Sequence, residues 1–138
     1  MEQIQILLAH HDTELARRFQ AEVARHQSLQ WQGAAASKAE ILAACATNTP
    51  QIILLDNELD DASALDILQA VVESHSCVRI VGLSDSQDVQ LIKSMLRGGA
   101  GGYLLAANPL TDLLSCLPAV FHGKTVLSRE LIPLLLRE

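Results

Sequence analysis

Short aliphatic runs alternate with helical stretches five times along this chain, and that alternation restricts the fold more than any single motif. Ile4–Ala9 reads as a first strand, followed by a helix near Thr13–Arg25 whose Leu15, Phe19 and Val23 share one stripe. Leu29–Ala35 is a weaker second strand, and Ser37 caps a helix reaching about Thr47. After Pro50, Ile52–Asp56 makes the third strand, and a helix near Ser63–Glu73 turns Leu65, Leu68 and Val72 inward. Arg79–Ser84 gives the fourth strand, Ser86–Arg97 the fourth helix and Tyr103–Leu105 a short fifth strand. The glycines at 98, 99, 101 and 102 end that helix and make the turn. Asn108-Pro109 reads as an N-cap and first helical residue of a helix to about His122. Pro118 should kink it by removing the hydrogen bond to the Leu114 carbonyl. Thr125–Leu127 is expected as a short extended piece and Ser128–Leu136 as a terminal helix, its start blurred by Pro133.

Such an order of elements implies an α/β domain, a parallel sheet covered by helices on both faces. Right-handed crossovers then put a ligand crevice at the carboxyl ends of the strands. Asp56 lies at such an end, closing the aliphatic run Gln51-Ile-Ile-Leu-Leu-Asp56; His10, His11, Ser84 and Ala106 lie at others.

Composition narrows the function. A chain of 138 residues, 49% hydrophobic and 3% aromatic, suits one domain packed by Leu, Ile, Val and Ala. A net charge of −6 argues against gripping a phosphate backbone, and the short Leu91 to Arg97 stretch does not overturn it. Cys45, Cys77 and Cys116 have no CxxC or metal spacing and read as small buried thiols. No basic leader precedes the first strand, and no apolar run approaches the ~20 residues of a membrane helix. The expectation is a soluble, cytoplasmic protein with no membrane partner.

Leu83-Ser84-Asp85 at the fourth strand end, the acid at the third and Gly98-Gly-Ala-Gly-Gly-Tyr-Leu-Leu105 before the last helix resemble a bacterial response-regulator receiver domain. The glycine–tyrosine segment and the tail Gly123-Lys-Thr-Val-Leu-Ser-Arg-Glu-Leu131 resemble the nitrate-response subgroup attached to LuxR-type helix-turn-helix domains. That resemblance implies a flavodoxin-like (βα)5 fold, a doubly wound five-stranded sheet in the order 2-1-3-4-5. Residues 1–124 would be the receiver and 125–138 a C-terminal extension leading to an output domain not in this chain. It implies that Asp56 holds the phosphoacceptor position, with Ser84 contacting the phosphate and Tyr103 changing rotamer as a switch. A sensor histidine kinase is the implied donor, a homodimer the implied assembly, and DNA a partner only through an output domain.

The departures from the family pattern fall in the pocket. Its acidic pair aligns with His10 and His11, its lysine with Ala106, and its loop proline and glycine with Asp60 and Ala64. Asp12 keeps a carboxylate one residue late, which aims it elsewhere. Asp56 and the backbone carbonyl of Glu58 remain as magnesium ligands, and a hard ion that prefers oxygen is poorly served by imidazole. Losing the lysine removes about 2–4 kcal/mol of charge stabilisation, by analogy with deleting one oxyanion donor. The acids Glu58, Asp60 and Asp61 further crowd Asp56 with like charge. Magnesium binding and phosphorylation are therefore expected to be weak or absent, with no other cofactor indicated.

Three readings fit His10 and His11: loop residues tolerated after the metal site lapsed, imidazolium groups standing in for missing cations, or ligands of a transition metal. The glycine cluster is not a phosphate cradle, since no Gly-Lys-Ser/Thr follows it. A small hydrolase or flavin protein on this sheet finds no second acid–base pair, and Trp31 sits on the second strand away from the crevice. The expectation is a non-enzymatic atypical receiver in signal transduction and transcription regulation. A conventional phospho-receiver is the alternative.

Overall fold

Side chains on a strand alternate between faces, and here both faces are apolar because both are covered. The computed structural model describes residues 3–59, 61–85 and 87–137, apart from the Glu58 side chain. Ile4–Ala9 forms β1, Thr13–Val23 α1, Leu29–Ala35 β2, Lys38–Thr47 α2 and Ile52–Leu55 β3. A hairpin of β4 (Glu58–Leu59) and β5 (Ala62–Ser63) precedes α3 (Ala64–Ser74). Then come β6 (Arg79–Leu83), α4 (Val89–Arg97), β7 (Gly102–Leu104), α5 (Leu110–Ser115) and α6 (Leu117–Phe121). The chain closes with β8 (Val126–Leu127), a 3-10 turn (Arg129–Leu131) and α7 (Ile132–Leu136).

The sheet has six strands in the order β2-β1-β3-β6-β7-β8, every pairing parallel. Its first five carry the expected order; the sixth corrects the expectation of five. Residues read as a loose extended piece pair instead with β7, Gly102 opposite Val126 and Tyr103 opposite Leu127.

Leu7, Ala9, Ile53, Leu55 and Ile80 face α2, α3 and α4, meeting Ile41, Ile67, Leu68 and Met95. Ile6, Leu8, Ile52, Leu54, Val81 and Leu104 face the other layer, against Phe19 and Val23 of α1, Leu114 of α5 and Leu117 of α6. All four residues of β3 are fully buried. Each such side chain contributes about 1.5–3 kcal/mol of burial, so β3 pins the centre of the sheet and fixes where Asp56 emerges.

Several expectations need correction. The buried stripe of α3 is Ala64, Ile67, Leu68 and Val71, one step out of phase with the expected one, and Val72 is exposed. Ser63 caps that helix, so it starts at Ala64. α1 stops at Val23, not Arg25. α4 starts at Val89 under an Asp88 cap, and the expected start at Ser86 falls outside the described residues, as does Asp60. The last helix is divided at Cys116 rather than kinked: Pro118 sits in the first turn of α6, where a missing N–H costs nothing. Pro109, not Asn108, occupies the N-cap position of α5. The terminal helix is a 3-10 turn followed by α7, with Pro133 in its first turn. Among the cysteines Cys45 is buried and Cys116 half-buried, whereas Cys77 is exposed.

Gly99, at φ +108°, turns the chain out of α4 in a backbone conformation that side chains resist. Gly102 has a different role: a Cβ there would meet the Val126 carbonyl oxygen at 2.2 Å, so β8 could not lie alongside.

Candidate functional site

The strand ends converge as a parallel sheet requires. Asp56 leaves β3 with its N–H donating to the Ala9 carbonyl at 2.9 Å, and His10 leaves β1 with its N–H on the Ala35 carbonyl at 2.9 Å. Ser84 leaves β6 with its N–H on Leu104, and its carbonyl accepts from Ala106. An open cleft of about 810 Å³ lies over these ends, lined by His11, Asp56, Asn57, Ser84 and Asp88 among others.

Asp56 Oδ2 faces two imidazoles. His10 Nε2 lies 3.6 Å from it and His11 Nδ1 3.3 Å. The rings stack with centroids 4.8 Å apart and 15° between planes. His10 is 13% exposed and His11 62% exposed, so one ring is largely covered while the other lines the open cleft. His10 Nδ1 accepts the Asp12 backbone N–H at 3.0 Å, which in the neutral ring puts the proton on Nε2, toward Asp56. Asp56 Oδ1 accepts the Asn57 N–H at 2.8 Å.

Asp12 does not reach the acid. Its Oδ1 accepts the N–H groups of Glu14 at 2.9 Å and Leu15 at 3.2 Å, capping α1. Ala106 is half-buried against the α1–α5 layer and offers Asp56 no charge. The Glu58 backbone belongs to the β4–β5 hairpin, paired with Ser63. Magnesium seeks oxygen ligands in near-octahedral array, and the donors converging on Asp56 Oδ2 are nitrogens. Among the described residues, the side chains gathered there do not fit that ion.

Behind the acid lie a tyrosine, an asparagine and a serine joined by hydrogen bonds. Tyr103 is fully buried, and its hydroxyl donates to Asn57 Oδ1 and also bonds the Ser84 side chain. Burial pushes the Tyr103 phenol above its ordinary value; the bonds to Asn57 and Ser84 oppose that rise, and the charges of Asp56 and Asp88 add to it. Above the ring, Ile92 of α4, Leu105 and Leu131 complete a third apolar cluster. Below it lies Gly82, where a Cβ would meet the ring at 2.4 Å.

Of the residues singled out in the sequence, His10, His11, Asp56, Ser84 and Ala106 follow strand ends on one edge of the sheet, Tyr103 lies buried within β7, Asp12 turns away into its cap, and Asp60 lies outside the described residues. Asn57 and Gly82 were not foreseen. Asn57 adjoins the acid and could have been suspected on that ground; no local signal marks Gly82.

No family model matches the chain. It is 36% identical over 86 residues to the nitrate/nitrite response regulator protein NarL of Escherichia coli, spanning 62% of this chain and 40% of that protein. It is 24% identical over 103 residues to the response regulator GacA of Pseudomonas protegens, spanning 75% of this chain and 48% of that protein. The chain therefore spans less than half the length of these relatives. A crystal structure of a LuxR-family two-component response regulator from Aurantimonas superposes with a TM-score of 0.91 at 16% identity, covering 99% of this chain and 97% of the other. At that identity the match speaks for the fold.

Proposed function

Given that this chain is a receiver domain of the response-regulator class, similar to those of LuxR-family regulators, we propose that it is an atypical one. It works in signal transduction, and in transcription regulation through an output domain beyond these residues, by dimerisation or partner binding. Magnesium-dependent phosphorylation of Asp56 is weak or absent. The observation that carries this reading is the company of Asp56 Oδ2: two imidazoles where a metal-dependent phosphoacceptor needs carboxylates, and an alanine at the lysine position. Among the described residues no helix is long and apolar enough to cross a membrane; a cytoplasmic location belongs to the same proposal.

The test is chemical. Incubated with acetyl phosphate or phosphoramidate and magnesium, the chain keeps its unmodified intact mass. A rapid gain of one phosphate, abolished by Asp56→Ala, would overturn the proposal.

One observation favours the alternative of a conventional phospho-receiver fed by a histidine kinase. Ser84 and Tyr103 remain in contact with each other and, through Asn57, with the acid. The same mass measurement separates the two readings.

For assembly, the α1–α5 face is the surface we favour. The turn and helix after β8 already pack on α4 and β7, with Leu131, Leu134 and Leu135 over Ile92 and Tyr103. A homodimer through α1 and α5 leaves that packing undisturbed.

A further inference from the structure

We propose that His10, His11 and Asp56 bind one borderline transition-metal ion of the zinc type, in place of the magnesium the fold ordinarily holds. The inference deepens the reading above and rests on it for a signalling role; the binding itself rests on geometry. Around a tetrahedral ion with bonds of roughly 2.0–2.1 Å, neighbouring ligand atoms lie about 3.3–3.4 Å apart. His11 Nδ1 and Asp56 Oδ2 are 3.3 Å apart, His10 Nε2 and Asp56 Oδ2 are 3.6 Å apart, and one ligand atom from each of the three residues lies within 4.8 Å of the others. The two rings are stacked with 15° between planes, so loading requires the exposed His11 ring to turn out of the stack and aim its Nδ1 lone pair at the ion.

The donor chemistry agrees with the distances. Two imidazoles and one carboxylate are a ligand set that zinc accepts, with the fourth position left to water. His11 is mostly exposed, so that position opens onto solvent. His10 and Asp56 are held from behind, by the Asp12 N–H on Nδ1 and the Asn57 N–H on Oδ1.

The hydrogen bond to His10 also says what changes on loading. Ligation needs the Nε2 lone pair, so the ring proton moves through solvent from Nε2 to Nδ1, with no net gain or loss. Nδ1 can then no longer accept from Asp12, and that amide must turn away. Asp12 caps α1, so filling the site shifts the start of that helix. An ion bound among strand ends is thereby felt on the α1 side of the molecule.

The experiment titrates the full chain, kept reduced, with zinc chloride and separately with magnesium chloride in a calorimeter. The cobalt(II) visible spectrum and the Asp12 amide resonance are followed in parallel. The expected result is one equivalent of zinc, a cobalt spectrum of tetrahedral type, a displaced Asp12 amide and no displacement of zinc by excess magnesium. His11→Ala, at an exposed position that leaves the fold intact, and Asp56→Asn should each weaken zinc binding by at least about tenfold. Zinc binding that is absent, or undiminished in both variants and lost instead on Cys77→Ser, overturns the site. The two proposals fail separately. A chain that holds zinc yet gains phosphate with magnesium keeps the site and loses the atypical reading. A chain that takes up neither loses the site and keeps that reading.

Discussion

A Cβ at position 82 would lie 2.4 Å from Tyr103 Cδ2 and 2.6 Å from its Cε2, so only glycine lets the ring rest on β6. From that seat the phenol reaches Asn57 and Ser84. Gly82→Ala is expected to cost about 1–3 kcal/mol through overpacking and to drive the ring from those contacts. Urea unfolding and the resonance of the chain's single tyrosine measure both effects. Tyr103→Phe, which keeps the ring and loses the hydroxyl, should cost only about 0.5–1.5 kcal/mol. An alanine at 82 that leaves stability and the tyrosine signal unchanged would remove the seat from the account. Asp56 and Ser84 could be placed from sequence because each closes an aliphatic run and a parallel sheet sends such ends to one place, whereas Tyr103 was picked out by the family resemblance. Gly82 could not be foreseen, because its reason is a ring delivered by another strand. The coming together of His10, His11 and Asp56 was half legible: alignment of strand ends implied it, but not which ring nitrogen faces the acid.

At the scale of the element, the C-terminal segment is tied down by polar contacts as well as apolar ones. Ser128 Oγ accepts the Leu105 N–H at 2.8 Å and donates to Asn108 Oδ1 at 2.6 Å, in a site where Ser128 is buried. Ser128→Ala strands the Leu105 donor and should lower stability by about 1–3 kcal/mol, with faster hydrogen exchange at Leu105 than elsewhere in the sheet. Uniform exchange across the sheet would argue against a local tie. Asn108 Nδ2 also donates to Glu130 Oε2 at 3.0 Å. The Glu130 carboxyl is held below its ordinary value, first by its own backbone N–H and then by Asn108. A depressed folded pKa means a contribution that is present above the free-carboxylate value and lost as pH falls through the folded one. Exchange in the tail should therefore quicken in acid, and Glu130→Gln should flatten that dependence. These ties explain why Asn108 was misread as a cap: its side chain is spent on the tail, a partner that helix signals do not reveal. The phase error in α3 has a similar cause. Leu65 and Val72 fit a helical stripe as well as Ile67 and Val71 do, and only the neighbouring β3 and α4 decide between them.

For the whole molecule, the six-stranded sheet divides the surface unequally. One side, around α4 and β7, is covered by the chain's own last residues; the other, along α1 and α5, is open, with Thr111 of α5 reaching Glu22 of α1 at 3.4 Å. A dimer is expected there, visible as a concentration-dependent species in sedimentation velocity, and Thr111→Arg should abolish it at equal loading. A dimer that survives that change but disappears on Ile132→Glu would move the interface to the tail. The alternation of strands and helices made the layered architecture legible. The sixth strand was not, because two residues carry too little periodicity to announce themselves.

One edge strand of the sheet, β8, leads directly into the turn and helix that pack on Tyr103, and that has a mechanical consequence. Tension applied through the segment that follows β8 would peel β8 and the turn behind it before loading the five-stranded core, since β8 pairs with β7 at only two positions. What yields first is the roof over Tyr103, so a tug on that segment would register at the aromatic ring long before the domain unravelled.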